Sequence, residues 1–311
     1  MMKTYKPINL WVRFFKIVLP FVLIIGLDSC KLNHLRDLEP SGPVTRSIDD
    51  LFWLTVALMS IILIPVFSMT AGFIWKYRAS NSKASYAPNW DSPIWIEWLV
   101  WLFPALIVLI LAIMTWIYTH RLDPYKPQEA NAPPLVIQVI ALDWKWLFIY
   151  PEQNIAVVNE LTLPVNRPIA FKITSNTVMN SFFIPRLGGQ IYAMAGMETQ
   201  LHVLADKPGR YFGENIQYSG QGFPYQNFET PVTTPQDFDT WVKKAGQSSQ
   251  ILDLSAFNEL SKPSVSHPVV YYASVSPDLF KHVINQYIGG QKSLAIVHAA
   301  HDNPGVTSNV R

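Results

Sequence analysis

Two stretches of this chain contain no charged residue. One runs from Leu51 to Trp75, "LFWLTVALMSIILIPVFSMTAGFIW", and the other from Leu99 to Thr119, "LVWLFPALIVLILAIMTWIYT". Each is long enough for a helix that crosses a hydrocarbon core of about 30 Å. Trp53, Trp75, Trp95, Trp98, Trp116 and Tyr118 gather at their ends, as interfacial aromatics do. Pro65 and Pro104 lie inside the runs and predict kinks, which suits helices packed on a larger membrane partner. A third apolar run, Ile17 to Leu27, is too short to span. Beyond Pro134 the pattern changes. "LVIQVIALDWKWLFIY", "IAVVNELTLPV", "PIAFKITSN" and "ETQLHVLAD" are rich in β-branched and aromatic residues, with Asn, Pro and Gly between them. Short strands at this spacing predict a Greek-key sandwich or barrel. After Thr234 the periodicity turns helical in "PQDFDTWVKKAGQ" and "SPDLFKHVINQYIGG", with Pro235 and Pro277 where helix starts accept proline.

Composition sharpens this picture. Half of the 311 residues are hydrophobic and 15% are charged, which is apolar for a soluble chain. A net charge of +2 gives no reason to expect a nucleic-acid partner. The only cysteine, Cys30, excludes an intramolecular disulfide and any site built on two thiolates. Cys30 also follows a basic head (Lys3, Lys6, Arg13, Lys16) and the short apolar run, the layout of a secretory signal. An acylated Cys30 at the mature N-terminus is the favoured expectation; a buried free thiol is the alternative. Basic residues flank the first span equally on its two sides, so charge alone does not orient it. Export of Cys30 places the loop between the spans in the cytoplasm and everything after Thr119 outside.

The expected organisation is therefore a signal (1–29), an exported segment (30–50), a first span (51–75), a cytoplasmic loop (76–94) and a second span (95–119). A linker (120–134), a β-domain (135–234), a helical region (235–291) and a loose tail (292–311) follow.

Three segments carry a family likeness: "DWKWLFIYPE", "NSFFIPRLGGQIYAMAGM" and "PGRYFGENIQYSG". The chain resembles subunit II of the haem–copper terminal oxidases, and is most similar to that of the cytochrome bo-type ubiquinol oxidases. The likeness extends over the signal, both spans, "WKYRASN" after the first span, the β-domain and the helical region. It implies a membrane-anchored protein: a two-helix transmembrane hairpin, then an all-β cupredoxin-like Greek-key domain with a small helical C-terminal part. In related cytochrome c oxidases this domain binds a dinuclear copper centre. By the resemblance, the copper-ligand positions here hold Asn180, Asn215, Gln217, Ser219, Phe223 and Gln226, with Gly213 and Gly220 keeping register. A copper centre that carries electrons needs thiolates and imidazoles; amides, a hydroxyl and a phenyl ring are not that set.

The resemblance thus implies a subunit without a cofactor of its own. Haems and copper belong to subunit I, ubiquinol is the reductant, dioxygen is reduced to water, and protons move outward across a bacterial inner membrane. Subunit I, smaller membrane subunits and lipid are the expected partners. Trp144 and Trp146 are expected to pack rather than pass electrons. Glu97, at the cytoplasmic start of the second span, is the candidate for a place at a proton-uptake channel; a helix-start carboxylate favoured by the helix dipole is the equal alternative. Met179, Met194 and Met197 are expected in packing, and His267, His282, His298 and His301 on the surface. Besides a copper-containing cytochrome c oxidase subunit, against which the missing ligands speak, two rival readings are a solute-binding lipoprotein and a chain that serves assembly alone. Co-purification with a haem-bearing integral subunit tells against the first, and selective removal from the finished complex tests the second.

Overall fold

The computed structural model describes residues 40–82, 93–128 and 132–288. The expected signal with Cys30, part of the segment between the two apolar runs, and the C-terminal residues with His298 and His301 lie outside the described residues.

The two apolar runs form α1 (Pro43–Lys76) and α2 (Ile94–Arg121). Both are long and apolar enough to cross a membrane. Both extend past the charge-free runs. With 34 residues, α1 is about 51 Å long at 1.5 Å per residue. Its first turns, with Arg46, Asp49 and Asp50, therefore reach beyond a core of about 30 Å. Pro43 starts α1 because a first-turn residue needs no intrahelical N–H bond. Inside the helices the Thr55, Ser60, Thr70 and Thr115 hydroxyls donate to the carbonyl four residues back. That satisfies each hydroxyl without water.

The start of α1 is latched to the β-domain. Ser41 N–H donates to the Arg186 carbonyl (3.0 Å), and Asp206 N–H donates to the Ser41 carbonyl (3.1 Å). Thr45 Oγ1 donates to the Arg186 carbonyl at 2.9 Å, and Arg46 pairs with Asp206. Gly42 sits where a Cβ would lie 2.3 Å from the Leu204 carbonyl oxygen, so only glycine passes there. On the other connection, His202 N–H donates to the Pro124 carbonyl.

The β-domain is a sandwich. Its first sheet joins β1 (Leu135–Leu142), β2 (Lys145–Tyr150), β3 (Ile155–Val158), β5 (Pro168–Ser175), β8 (Thr199–Leu204) and β12 (Val270–Tyr272). Their order is β12-β3-β2-β1-β5-β8. The second holds β4 (Leu163–Pro164), β6 (Asn180–Phe183), β7 (Ile191–Ala193), β9 (Gly209–Asn215) and β10 (Asn227–Thr233). Its order is β4-β10-β9-β6-β7. The inner core is aromatic: Trp146, Phe148, Phe171, Phe182 and Phe228 come from both sheets. Phe182 and Phe228 stack at 5.4 Å with only 4° between their planes.

A second core lies on the outer face of the first sheet. Ile140, Leu142, Leu147, Ile149, Ala156 and Val158 meet Leu252, Phe257, Leu260, Tyr272, Leu279, Phe280 and Val283. The latter group comes from the C-terminal region: β11 (Ile251–Leu252), α4 (Leu254–Leu260), β12 and α5 (Leu279–Ile288). β13 (Ser274–Val275) pairs with β11. This third layer explains why β2 is buried on both faces and its sequence is not a clean alternation. α3 (Pro235–Ala245) closes one end of the inner core with Phe238. Thr234 caps it by accepting from Asp237 N–H.

Candidate functional site

At one end of the sandwich, the turn between β1 and β2, the β5–β6 loop, the β7–β8 loop and the β9–β10 loop converge. Asn180 begins β6 and Asn215 ends β9. Neighbouring antiparallel pairing of β6 and β9 sets Phe182 beside Asn215 and brings the two amides together. Asn215 Nδ2 donates to Asn180 Oδ1 (2.8 Å) and to Gln226 Oε1 (2.9 Å), with Ser219 Oγ 3.1 Å away. Asn215 Oδ1 accepts from the backbone N–H groups of Ser181 (2.8 Å) and Gln217 (3.0 Å). Ser219 Oγ donates to Gln226 Oε1 at 3.0 Å, and Gln226 Nε2 donates to the Leu142 carbonyl. Asn180, Asn215 and Gln226 are buried, so each of these bonds replaces one with water.

Four of the six expected positions, Asn180, Asn215, Ser219 and Gln226, thus form one network. The other two do not join it through their side chains. Gln217 contributes its backbone N–H. Phe223 lies in a short 3-10 turn, Phe223–Tyr225, and its ring packs on Tyr218 at 5.8 Å. Copper does not fit this arrangement. The middle of the network is an amide N–H donor, which repels a cation, and the oxygens around it already accept hydrogen bonds. No group of three or more His, Cys, Asp or Glu side chains comes together among the described residues.

The aromatic pair divides in its surroundings. Trp146 is fully buried against Phe182 and Phe228. Trp144 is half-buried in the β1–β2 turn, in the left-handed region at φ 63°. That backbone conformation is unfavourable for a large side chain. The indole is held by donating to the Ser219 carbonyl at 3.0 Å. It lies over Gly222, where a Cβ would come 2.2 Å from the ring. Around this end Val178, Met179, Met197, Ile216, Tyr218 and Tyr225 are exposed, an apolar tip on three loops. Met194 instead offers its carbonyl to Thr174 Oγ1. His267 and His282 lie away in the C-terminal region, and Glu97 is exposed in the first turn of α2.

Two polar features escape sequence reasoning. Glu160 Oε1 accepts from both Trp241 Nε1 (3.0 Å) and Tyr271 Oη (2.7 Å), fastening α3 and β12 to the β3–β4 connection. Burial, followed by this bond to Glu160, pushes the Tyr271 phenol up to about 12. Burial beside Asp143 pushes Tyr287 up to about 12 as well. A phenol raised on folding contributes stability that is fully present below about pH 10, its ordinary value, and is lost as pH rises through its folded value. The domain is therefore expected to lose stability between about pH 10 and pH 12. Denaturation midpoints across that window check it, and Tyr287→Phe should flatten the slope. A midpoint that is level or rising there would contradict it. The second feature is Lys145, a lysine on the outer face of β2 whose burial lowers its pKa.

The fold and this site define a cupredoxin-like domain behind two long apolar helices, with amides and a hydroxyl closed into one network at its loop end. Two family descriptions match the chain. "Cytochrome C oxidase subunit II, periplasmic domain" covers residues 150–227, and "COX Aromatic Rich Motif" covers 247–291. The cytochrome bo(3) ubiquinol oxidase subunit 2 of Pseudomonas putida is 46% identical over 88% of this chain and 86% of that protein. The ubiquinol oxidase subunit 2 of Acetobacter aceti is 49% identical over 85% of each. The crystal structure of the periplasmic domain of subunit II of a Bradyrhizobium japonicum cytochrome oxidase is similar at 22% identity and a TM-score of 0.36. It covers 38% of this chain and 96% of that one. The chain belongs to the ubiquinol oxidase subunit 2 family of the haem–copper oxidases.

Proposed function

We propose that this chain is the non-redox subunit II of a proton-pumping respiratory oxidase that oxidises ubiquinol and reduces dioxygen to water. The observation that carries the reading is the closed amide network at Asn215, in a member of this family. With no electron carrier in this domain, electrons enter from a quinol in the bilayer, and haems and copper reside in subunit I. The hairpin packs on subunit I, whose helices cover the exposed apolar faces of α1 and α2. The apolar tip rests on the outer surface of the same subunit. The protein lies in the bacterial inner membrane, with the sandwich in the periplasm, an acyl anchor at Cys30 and smaller membrane subunits beside it. A tag on this chain should retain a haem-bearing integral subunit through purification; recovery of the chain without haem would count against the reading.

Glu97 is placed at the cytoplasmic mouth of a proton-uptake path of subunit I. It is a carboxylate at a membrane boundary, in the first turn of α2. In the assembled oxidase, Glu97→Gln is expected to slow quinol-dependent dioxygen uptake several-fold while haem content and subunit ratio stay unchanged. Full turnover in an assembled variant would remove Glu97 from that role.

A further inference from the structure

The C-terminal segment, residues 247–288, reaches back to the loops around the amide network. Tyr287 on α5 donates its hydroxyl to the Asn176 carbonyl at 2.5 Å. Asn176 Nδ2 donates to Ser261 Oγ at 3.2 Å. Both bonds hold the loop that leads into Asn180. The Tyr287 side chain also lies on Gly196 in the β7–β8 loop. That glycine is left-handed (φ 75°), and a Cβ there would be 3.0 Å from Tyr287 Cβ. The third attachment is Lys145. Its Nζ donates to the Lys262 carbonyl (2.7 Å) and to Ser264 Oγ (2.6 Å). Lys145 adjoins Trp144, whose indole donates to the Ser219 carbonyl.

The chemistry of these attachments is informative. Burying an ammonium costs free energy, which the two oxygens and the charge of Asp143 offset only in part, and an apolar side chain of similar length would suit the outer core at least as well. The Lys145 bonds are therefore poorly explained as a source of stability. They do fix one geometry, because an ammonium in that position must meet both oxygens. Three loops are each fastened to one covering segment: the β1–β2 turn, the β5–β6 loop and the β7–β8 loop.

We propose that the C-terminal segment is the tie that sets the loop end of the sandwich, doing from outside what a shared metal would do from within. Tyr287 and Lys145 are its positioning residues. The tie holds whichever donor feeds the oxidase.

The test is amide hydrogen exchange on the assembled oxidase carrying Tyr287→Phe or Lys145→Met. Tyr287→Phe keeps the ring on Gly196 and removes only the hydroxyl, so the fold is retained. It is expected to speed exchange at residues 176–180 about ten-fold while strands β9 and β10 keep wild-type protection. Lys145→Met is expected to speed exchange at 143–144 and 219–222 and to leave β3 unchanged, with overall stability equal or higher. Wild-type protection at these loops in both variants would overturn the proposal. So would equal acceleration throughout the sandwich, which would mark the two residues as ordinary contributors to stability.

Discussion

Asn215→Ala destabilises the sandwich by about 3 kcal/mol, while Gln217→Ala changes it by less than about 0.5 kcal/mol. The two residues lie two positions apart on the same loop and differ in their connections. Asn215 is buried and its side chain serves five partners: the Ser181 and Gln217 N–H groups, Asn180 Oδ1, Gln226 Oε1 and Ser219 Oγ. Alanine leaves several of these polar atoms without a partner in a space closed to bulk water. Each such atom costs about 1–3 kcal/mol, and part is recovered because Gln226 Oε1 keeps the Ser219 hydroxyl. The Gln217 side chain is half-buried and joins no bond of this network, so its removal leaves the network whole. Chemical denaturation of the solubilised chain, followed by near-ultraviolet circular dichroism, checks both. Equal effects would mean that the network does not organise the site.

Phe228→Ala is expected to cost about 3–5 kcal/mol, the range for an aromatic removed from a packed core. Its ring stacks on Phe182, meets Phe148 at 5.0 Å and Trp146 at 5.9 Å, and lies directly over Gly213. Gly213 is the cross-strand partner of Phe228, and a Cβ there would fall 2.0 Å from the ring. The ring covers the backbone that the glycine leaves bare. Gly213→Ala alone should cost about 1–3 kcal/mol by overpacking. The double variant should lose less than the sum of the two, because the new methyl enters the space that the ring has left. Strictly additive losses in the same denaturation measurement would contradict this coupling.

Much of this was legible in the sequence, for identifiable physical reasons. The helical hairpin announced itself through long charge-free runs, and the strands through β-branched and aromatic residues between turns. Pro235 behind Thr234 marked the start of α3. The C-terminal layer was harder. β11 and β13 are two residues each, and α4 is seven, too short for any period to register. Lys145 gave no sign of burial, because the layer that makes its face a core comes from residues more than a hundred positions away. Ser41 and Gly42 gave no sign of the latch, because a close approach to the Leu204 carbonyl depends on a distant strand. At the site, the family resemblance pointed to Asn180, Asn215, Ser219 and Gln226. Their convergence needed β6 and β9 to pair. Gln217 and Phe223 share that resemblance but not the network, since position along the chain does not decide which side chain turns inward.

We propose that amides at the positions that the resemblance assigns to copper ligands mark a change of electron donor. Dioxygen uptake by the complex purified through a tag on this chain tests it most directly, with ubiquinol and reduced cytochrome c supplied in parallel. Uptake with ubiquinol and none with cytochrome c is the predicted result. Uptake sustained by cytochrome c would mean that electrons cross this domain without a metal at Asn215, and would contradict the account.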